Sequence, residues 1–187
     1  VMRIVVVTPP APVVTLAEAK AHLRVTGTAE DTLIEGMVAA ATQHLDGPAG
    51  WLGRALGVQE LEARLDLSCH PSLIRLSFPP ITSVTSVTYL DANRAPIVAD
   101  PATYELIGED VIAIGAPAWA NAYSGREALR VRFVAGYAVL PAPIRVAILL
   151  MVGDLYAHRE TTSPVATTSI PISVTVQALL EPFRVYR

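Results

Sequence analysis

The sequence predicts an α+β fold: a small α-helical bundle with an inserted antiparallel β-domain and an extended C-terminal arm. Three observations carry it. Two segments of helical periodicity lie near the N-terminus, and a longer one follows a proline step within residues 136–160. Between them, residues 56–134 are rich in Val, Ile, Thr and Tyr, with turn signals at short intervals. Beyond them, residues 161–169 read TTSPVATTS, which has the composition of a flexible linker. The expected organisation is therefore an N-terminal helical segment (1–55), an inserted β-rich domain (56–134), a long core helix completing the bundle (135–160), and a linker with a C-terminal docking arm (161–187).

In chain order, an extended stretch at residues 4–7 runs into the Pro9, Pro10, Pro12 cluster. Thr15 and Glu18 have the spacing of a capping box, which places a short helix from Leu16 to about Arg24. Gly27 breaks the chain. A second helix is expected from about Thr28 to Leu45, with acidic side chains at its positive end and a stripe of Leu33, Ile34, Met37, Val38, Ala41 and Leu45. Gly47-Pro48 stops it.

Six short strands are expected in the middle. Leu61, Ala63, Leu65 and Leu67 alternate with Glu62, Arg64, Asp66 and Ser68, the period of a half-buried strand. Residues 72–78, 84–90, 104–107, 111–114 and 129–134 supply the others. Hairpin turns are expected at Asp91-Ala92-Asn93-Arg94 and at Gly108-Glu109-Asp110.

The organising helix follows. Pro141 and Pro143 are compatible with a helix start but not a helix interior. From there Ile144, Ala147, Ile148, Met151, Val152, Leu155 and Tyr156 recur near a 3.6-residue period, and Leu149 and Leu150 widen the stripe. About seventeen residues give a rod of roughly 25 Å. Arg145 and Asp154 interrupt the apolar run, which falls short of the roughly 20 residues a bilayer needs, so a core helix is the expectation.

Composition narrows the function classes. A hydrophobic content of 52% is ample for a core, and a net charge of −3 gives no general drive toward nucleic acid or anionic membrane. Aromatic residues make up 6% and are not interleaved with basic clusters, against a single-strand stacking platform. The one cysteine, Cys69, excludes an internal disulfide. VMRIVVVTPP carries one charge and too short an apolar run for a signal peptide, so a soluble, non-secreted protein is expected.

No catalytic constellation is found. His22, His44, His70 and His158 are scattered without metal-ligand spacing, and His22 and His44 read as helix-surface or interhelical residues. Cys69 and His70 would point to opposite faces of a strand and read as a loop. Gly50-Trp51-Leu52-Gly53-Arg54 and Ser124-Gly125-Arg126 lack the context of a phosphate loop. Glu30, Asp31 and Glu35 read as first-turn caps. Trp51 and Trp119 stand beside Gly or Pro, as in hinge packing. No cofactor or metal is implied.

The order of residues does carry a resemblance. Pro12-x-x-Thr15-Leu16-x-Glu18-Ala19-Lys20-x-His22-Leu23-Arg24 is followed by Glu30-Asp31-x-x-Ile34, Ala39-Ala40 and Gly53-Arg54-x-x-x-x-Gln59. Later come Ile74-x-Leu76-x-x-Pro79-Pro80-Ile81-x-Ser83-Val84, then Ala135-Gly136-Tyr137 with Pro141, then Ile144-x-x-Ala147-Ile148-Leu149-Leu150. Leu155-Tyr156-x-x-Arg159-Glu160 and the closing Ala178-Leu179-Leu180-x-Pro182-Phe183-Arg184 complete it. Together they resemble the head–tail connector (adaptor or head-completion) proteins of tailed bacteriophages and phage-like gene transfer agents. In that family tyrosine often stands in place of Phe183. The likeness is loosest over residues 91–126.

The resemblance implies a non-enzymatic, homo-oligomeric, twelvefold ring at the head–tail junction of a particle. The ring would sit under the portal protein, extend the DNA channel without sequence recognition, and carry the next tail-side component, a stopper or tail terminator. The subunit would pass through the host cytoplasm during assembly. The resemblance also implies that the C-terminal end, with Ile172, Val174, Val176, Leu179, Leu180, Pro182, Phe183, Arg184, Tyr186 and Arg187, engages the portal. The alternation of Ile172, Val174 and Val176 fits a strand added to a partner's sheet. The alternative is that this segment folds back on its own helices. Two other readings stand beside the connector: a small non-catalytic nucleic-acid-binding module, and a small α+β hydrolase with a pocket of Glu35, His44 and Arg54.

Overall fold

A computed structural model describes residues 2–67, 71–158 and 173–186. The fold is α+β, and the chain forms two compact units, one from residues 1–11 and 57–138, the other from residues 12–56 and 139–187. Cys69, His70, the linker at 161–169, Ile172 and Arg187 fall outside the described residues.

The first unit is antiparallel β. A five-stranded sheet has the order β1 (Met2–Thr8), β2 (Gln59–Leu65), β8 (Leu129–Ala135), β4 (Ile81–Leu90), β5 (Pro96–Val98). A three-stranded sheet has the order β3 (Leu73–Arg75), β7 (Asp110–Ala113), β6 (Tyr104–Ile107). Six strands were expected, and the additions are β1 and β5. The expected run at 72–78 shortens to β3. The N-terminal residues therefore do not belong to a helical segment: β1 pairs with β2, Ile4 opposite Ala63.

Register decides which face is core. Leu61 lies opposite Phe133, Ala63 opposite Val131 and Leu65 opposite Leu129, and Val131 is opposite Val87 on the other side. Leu61, Ala63, Val87, Leu129, Val131 and Phe133 are fully buried. The alternate positions carry charge, as a period of two requires. Arg64 is opposite both Arg3 and Arg130, and Glu62 is opposite Val5 and Arg132.

The second unit is helical: α1 (Leu16–Leu23), α2 (Asp31–Leu45), α3 (Ala142–Ala157) and α4 (Val174–Leu180). Thr15 caps α1 in a full capping box, and Pro141 and Pro143 sit at the cap and first turn of α3. Ile34, Val38, Ala41 and Leu45 of α2 are buried, as are Ile144, Ala147, Ile148 and Val152 of α3. Two expected core positions are corrected: Leu33 is 42% exposed and Leu155 40%. A helix packed on one side buries one stripe, and both residues lie beyond its edge; Met151 and Tyr156 are half-buried at its margin. No helix among the described residues is long and apolar enough to cross a membrane.

Candidate functional site

The acidic first turn of α2 does something other than cap. Glu30 makes no side-chain capping bond to α2; its carboxylate accepts from the Tyr156 hydroxyl of α3. Asp31 accepts from Lys20 Nζ of α1 at 2.5 Å, and Arg145 of α3 donates to Glu18 at 2.5 Å. The Thr15 backbone N–H, then its hydroxyl, then Arg145 hold the Glu18 carboxyl below its ordinary value. These polar ties join the helices where the apolar stripe ends.

Against this bundle lies the C-terminal arm. Ser173 caps α4 by accepting from the Val176 N–H, and Val176 and Leu180, one helical turn apart, are buried toward α3. The strand expected for Ile172, Val174 and Val176 is thus overturned for the two described residues. In a strand Val174 and Val176 would share a face, but here Val174 is 85% exposed while Val176 is buried. Leu179 is half-buried, and Pro182 is exposed.

A turn at Glu181–Phe183 then leads into an extended end clasped to the loop after α2. Arg54 Nε donates to the Phe183 carbonyl, and the Val185 N–H donates to the Leu52 carbonyl at 2.9 Å. Arg184 stacks between two rings, 4.1 Å from Trp51 and 4.7 Å from Tyr186. The Tyr186 hydroxyl donates to Glu181, and that bond, with burial, raises its pKa. The arm folds back on its own unit, the alternative left open above.

A cleft of about 600 Å³ lies beside the clasp, lined by Ala40, His44, Trp51, Met151, Leu155 and Arg184, among others. Its walls are mostly apolar. Glu35, His44 and Arg54 are not brought together there: only His44 lines it, and Arg54 is committed to the arm. His22 lies beside Gly153 of α3, an interhelical position. Trp119 is fully buried and donates to the Pro71 carbonyl, and Ser124 and Gly125 hold Leu67 at the turn before β8. Among the described residues no three His, Cys, Asp or Glu side chains could hold a metal ion.

The residue that sequence reasoning missed is Glu62, only 4% exposed. Its two oxygens accept from Arg64 Nε at 2.6 Å and Arg132 Nε at 2.8 Å. Burial pushes its carboxyl up, but the bonds from Arg132 and Arg64 outweigh that and hold it below its ordinary value. The signal was present: Arg130 and Arg132 alternate on β8, and a buried carboxylate needs such partners.

The family model described as Phage gp6-like head-tail connector protein matches residues 13–69. A search of curated proteins found no match. Among solved structures, the chain is similar to a chain of the neck of an empty gene transfer agent (GTA) particle computed with C6 symmetry. The identity is 23%, the TM-score 0.76, and the match covers 99% of this chain and 96% of that one. A chain of the native GTA virion matches at 24% identity and TM-score 0.75, covering 98% and 96%. A chain of the neck of the native particle computed with C12 symmetry matches at 20% identity and TM-score 0.68, covering 100% and 96%. At these identities the likeness is one of fold. The resemblance to head–tail connectors read from the residues is borne out by the family match over residues 13–69, and the solved structures add a likeness of fold over the whole chain.

Proposed function

We propose that this chain is a structural head–tail connector subunit. Copies of it form a homo-oligomeric ring, twelvefold, between the portal and the tail of a phage-like particle, and the ring extends the DNA channel. The single observation that carries this reading is the whole-chain fold likeness to a chain of the gene transfer agent neck, at TM-score 0.76 and near-complete coverage of both chains. The family match over residues 13–69 supports it from sequence. The role is structural rather than enzymatic, and no cofactor enters it.

In this reading the portal lies on one side of the ring and a stopper or tail terminator on the other. The C-terminal arm is the portal-facing element. Since Val176 and Leu180 are turned into its own unit, its outward groups include Val174, Pro182 and Tyr186. The test is reconstitution: the purified full chain is mixed with portal rings and imaged by cryo-electron microscopy. Twelve copies seated on one end of the portal, with a continuous axial channel, are expected. Portals that stay bare at saturating protein would overturn the proposal.

A further inference from the structure

We propose that the charged face of the five-stranded sheet is a subunit–subunit surface, and that it takes the acidic β6–β7 hairpin of a second copy of this chain. The inference rests on the ring reading and names the contact that would build it.

The charged face mixes Arg3, Arg64, Arg130 and Arg132 with Glu60, Glu62 and Glu127, and three of the arginines fall on one cross-strand row. Arg3, Arg64 and Arg130 are successive cross-strand partners on β1, β2 and β8, strands about 4.8 Å apart, and like charges directly opposite repel. The repulsion is relieved for two of them. Glu127 meets Arg3 at 2.7 Å and Arg64 at 3.4 Å, and Glu62 meets Arg64 and Arg132. Arg130 pairs with no carboxylate among the described residues, and its side chain is exposed. Glu62 holds Arg132 through Nε, and the Arg132 side chain is 49% exposed. A buried carboxylate thus fixes an arginine whose two terminal nitrogens suit an incoming carboxylate.

The complementary surface lies on the three-stranded sheet of the same unit. Glu105 on β6 and Glu109 at the hairpin turn are exposed and form no ion pair among the described residues, whereas Asp110 is already tied to Arg75. Glu105 shares a cross-strand row with Ile112 and the exposed Leu73, and the neighbouring row ends in the exposed Ile107. This face mixes exposed apolar side chains with charge: the row of Ile107 also holds Asp110 and the exposed Arg75, which lies within electrostatic reach of Glu109, so Glu105 is its acidic group farthest from a basic partner. One molecule therefore carries a basic patch and a separate acidic patch, which is what a head-to-tail contact requires for a ring to close.

The test uses opposite charge reversals in the full chain, Arg130→Glu and Glu105→Arg, assembled on portal rings and counted by native mass spectrometry. Both residues are exposed, so unchanged melting temperatures serve as the folding control. Each variant alone should occupy the portal on the order of tenfold more weakly than the natural chain. An equimolar mixture should recover, because in an alternating ring the two reversed patches face each other and so do the two natural ones, and each contact again joins opposite charges. Variants that assemble as well as the natural chain, or a mixture that fails to recover, would overturn the inference while leaving the connector reading intact. Loss in Arg130→Glu alone, together with lost binding to a short DNA duplex, would make phosphate the partner and also overturn it. A natural chain that never seats on the portal overturns the ring reading, and the inference with it.

Discussion

Gly53 and Val185 approach so closely that a Cβ on the glycine would lie 2.8 Å from the Val185 carbonyl oxygen, and Gly53 has a φ of +65°. The Gly53-Arg54 pair is in this way a receptor for the arm: the glycine lets the backbone of residue 185 in, and the arginine holds the Phe183 carbonyl. Gly53→Ala should cost more than about 1 kcal/mol from conformation alone, with the clash added. Hydrogen exchange at the Val185 amide should lose its protection. Gly27→Ala, where the added methyl meets nothing within 4 Å, is the control and should leave both readings unchanged.

A second expectation separates two residues that the sequence treats alike. Ile148 is fully buried and Leu155 is 40% exposed on the same helix. Ile148→Ala should cost about 2–5 kcal/mol in chemical denaturation, and Leu155→Ala about 1 kcal/mol or less. Equal losses would mean that the apolar face of α3 is covered further round than its one buried stripe.

The third concerns acid. The Glu62 carboxyl is held below its ordinary value of 4.5, so it contributes stability that is fully present above about pH 4.5. That contribution is lost as pH falls through the lower, folded-state value. Glu62→Gln should lower the melting temperature at pH 7, at a cost of about 1–3 kcal/mol, because charge-assisted bonds to Arg64 and Arg132 become neutral ones. Its melting temperature should then fall less steeply than that of the natural chain between pH 4.5 and 3. Parallel curves through that range would remove Glu62 as a source of acid sensitivity.

How much of this was legible beforehand depended on range. The Thr15–Glu18 capping box and the proline start of α3 are encoded within four residues, and both helices begin where those signals put them. The alternation of Leu61 and Ala63 with Glu62 and Arg64 gave the strand and its core face. It did not give the burial of Glu62, because that depends on Arg132, seventy residues away on β8. The pairing of β1 was hidden for the same reason. The arm failed differently. Val174, Val176 and Leu180 satisfy both a two-residue and a helical spacing, and in so short a segment periodicity cannot choose. The choice is made by Ser173 as a cap and by the α3 surface that Val176 and Leu180 meet.

The last prediction asks whether the arm is a brace, a grip or both. Removal of residues 173–187 would strip away Val176 and Leu180, each contributing roughly 1.5–3 kcal/mol if its burial is lost, together with the clasp at residues 52–54. The truncated chain should therefore melt well below the natural one, and its failure to bind portal would say nothing about docking. A cleaner pair is Val174→Asp and Tyr186→Asp, since these side chains are 85% and 68% exposed. Val174→Asp touches no buried surface, and Tyr186→Asp gives up an exposed bond to Glu181 and a ring beside Arg184 while Trp51 keeps the closer stack. Melting temperature should shift little in either. Under the connector reading, portal binding measured by surface plasmon resonance should weaken in both, because a carboxylate replaces an apolar anchor at the docking face. Natural-strength binding by both variants would reduce the arm to a brace and move the portal-facing surface elsewhere on the subunit.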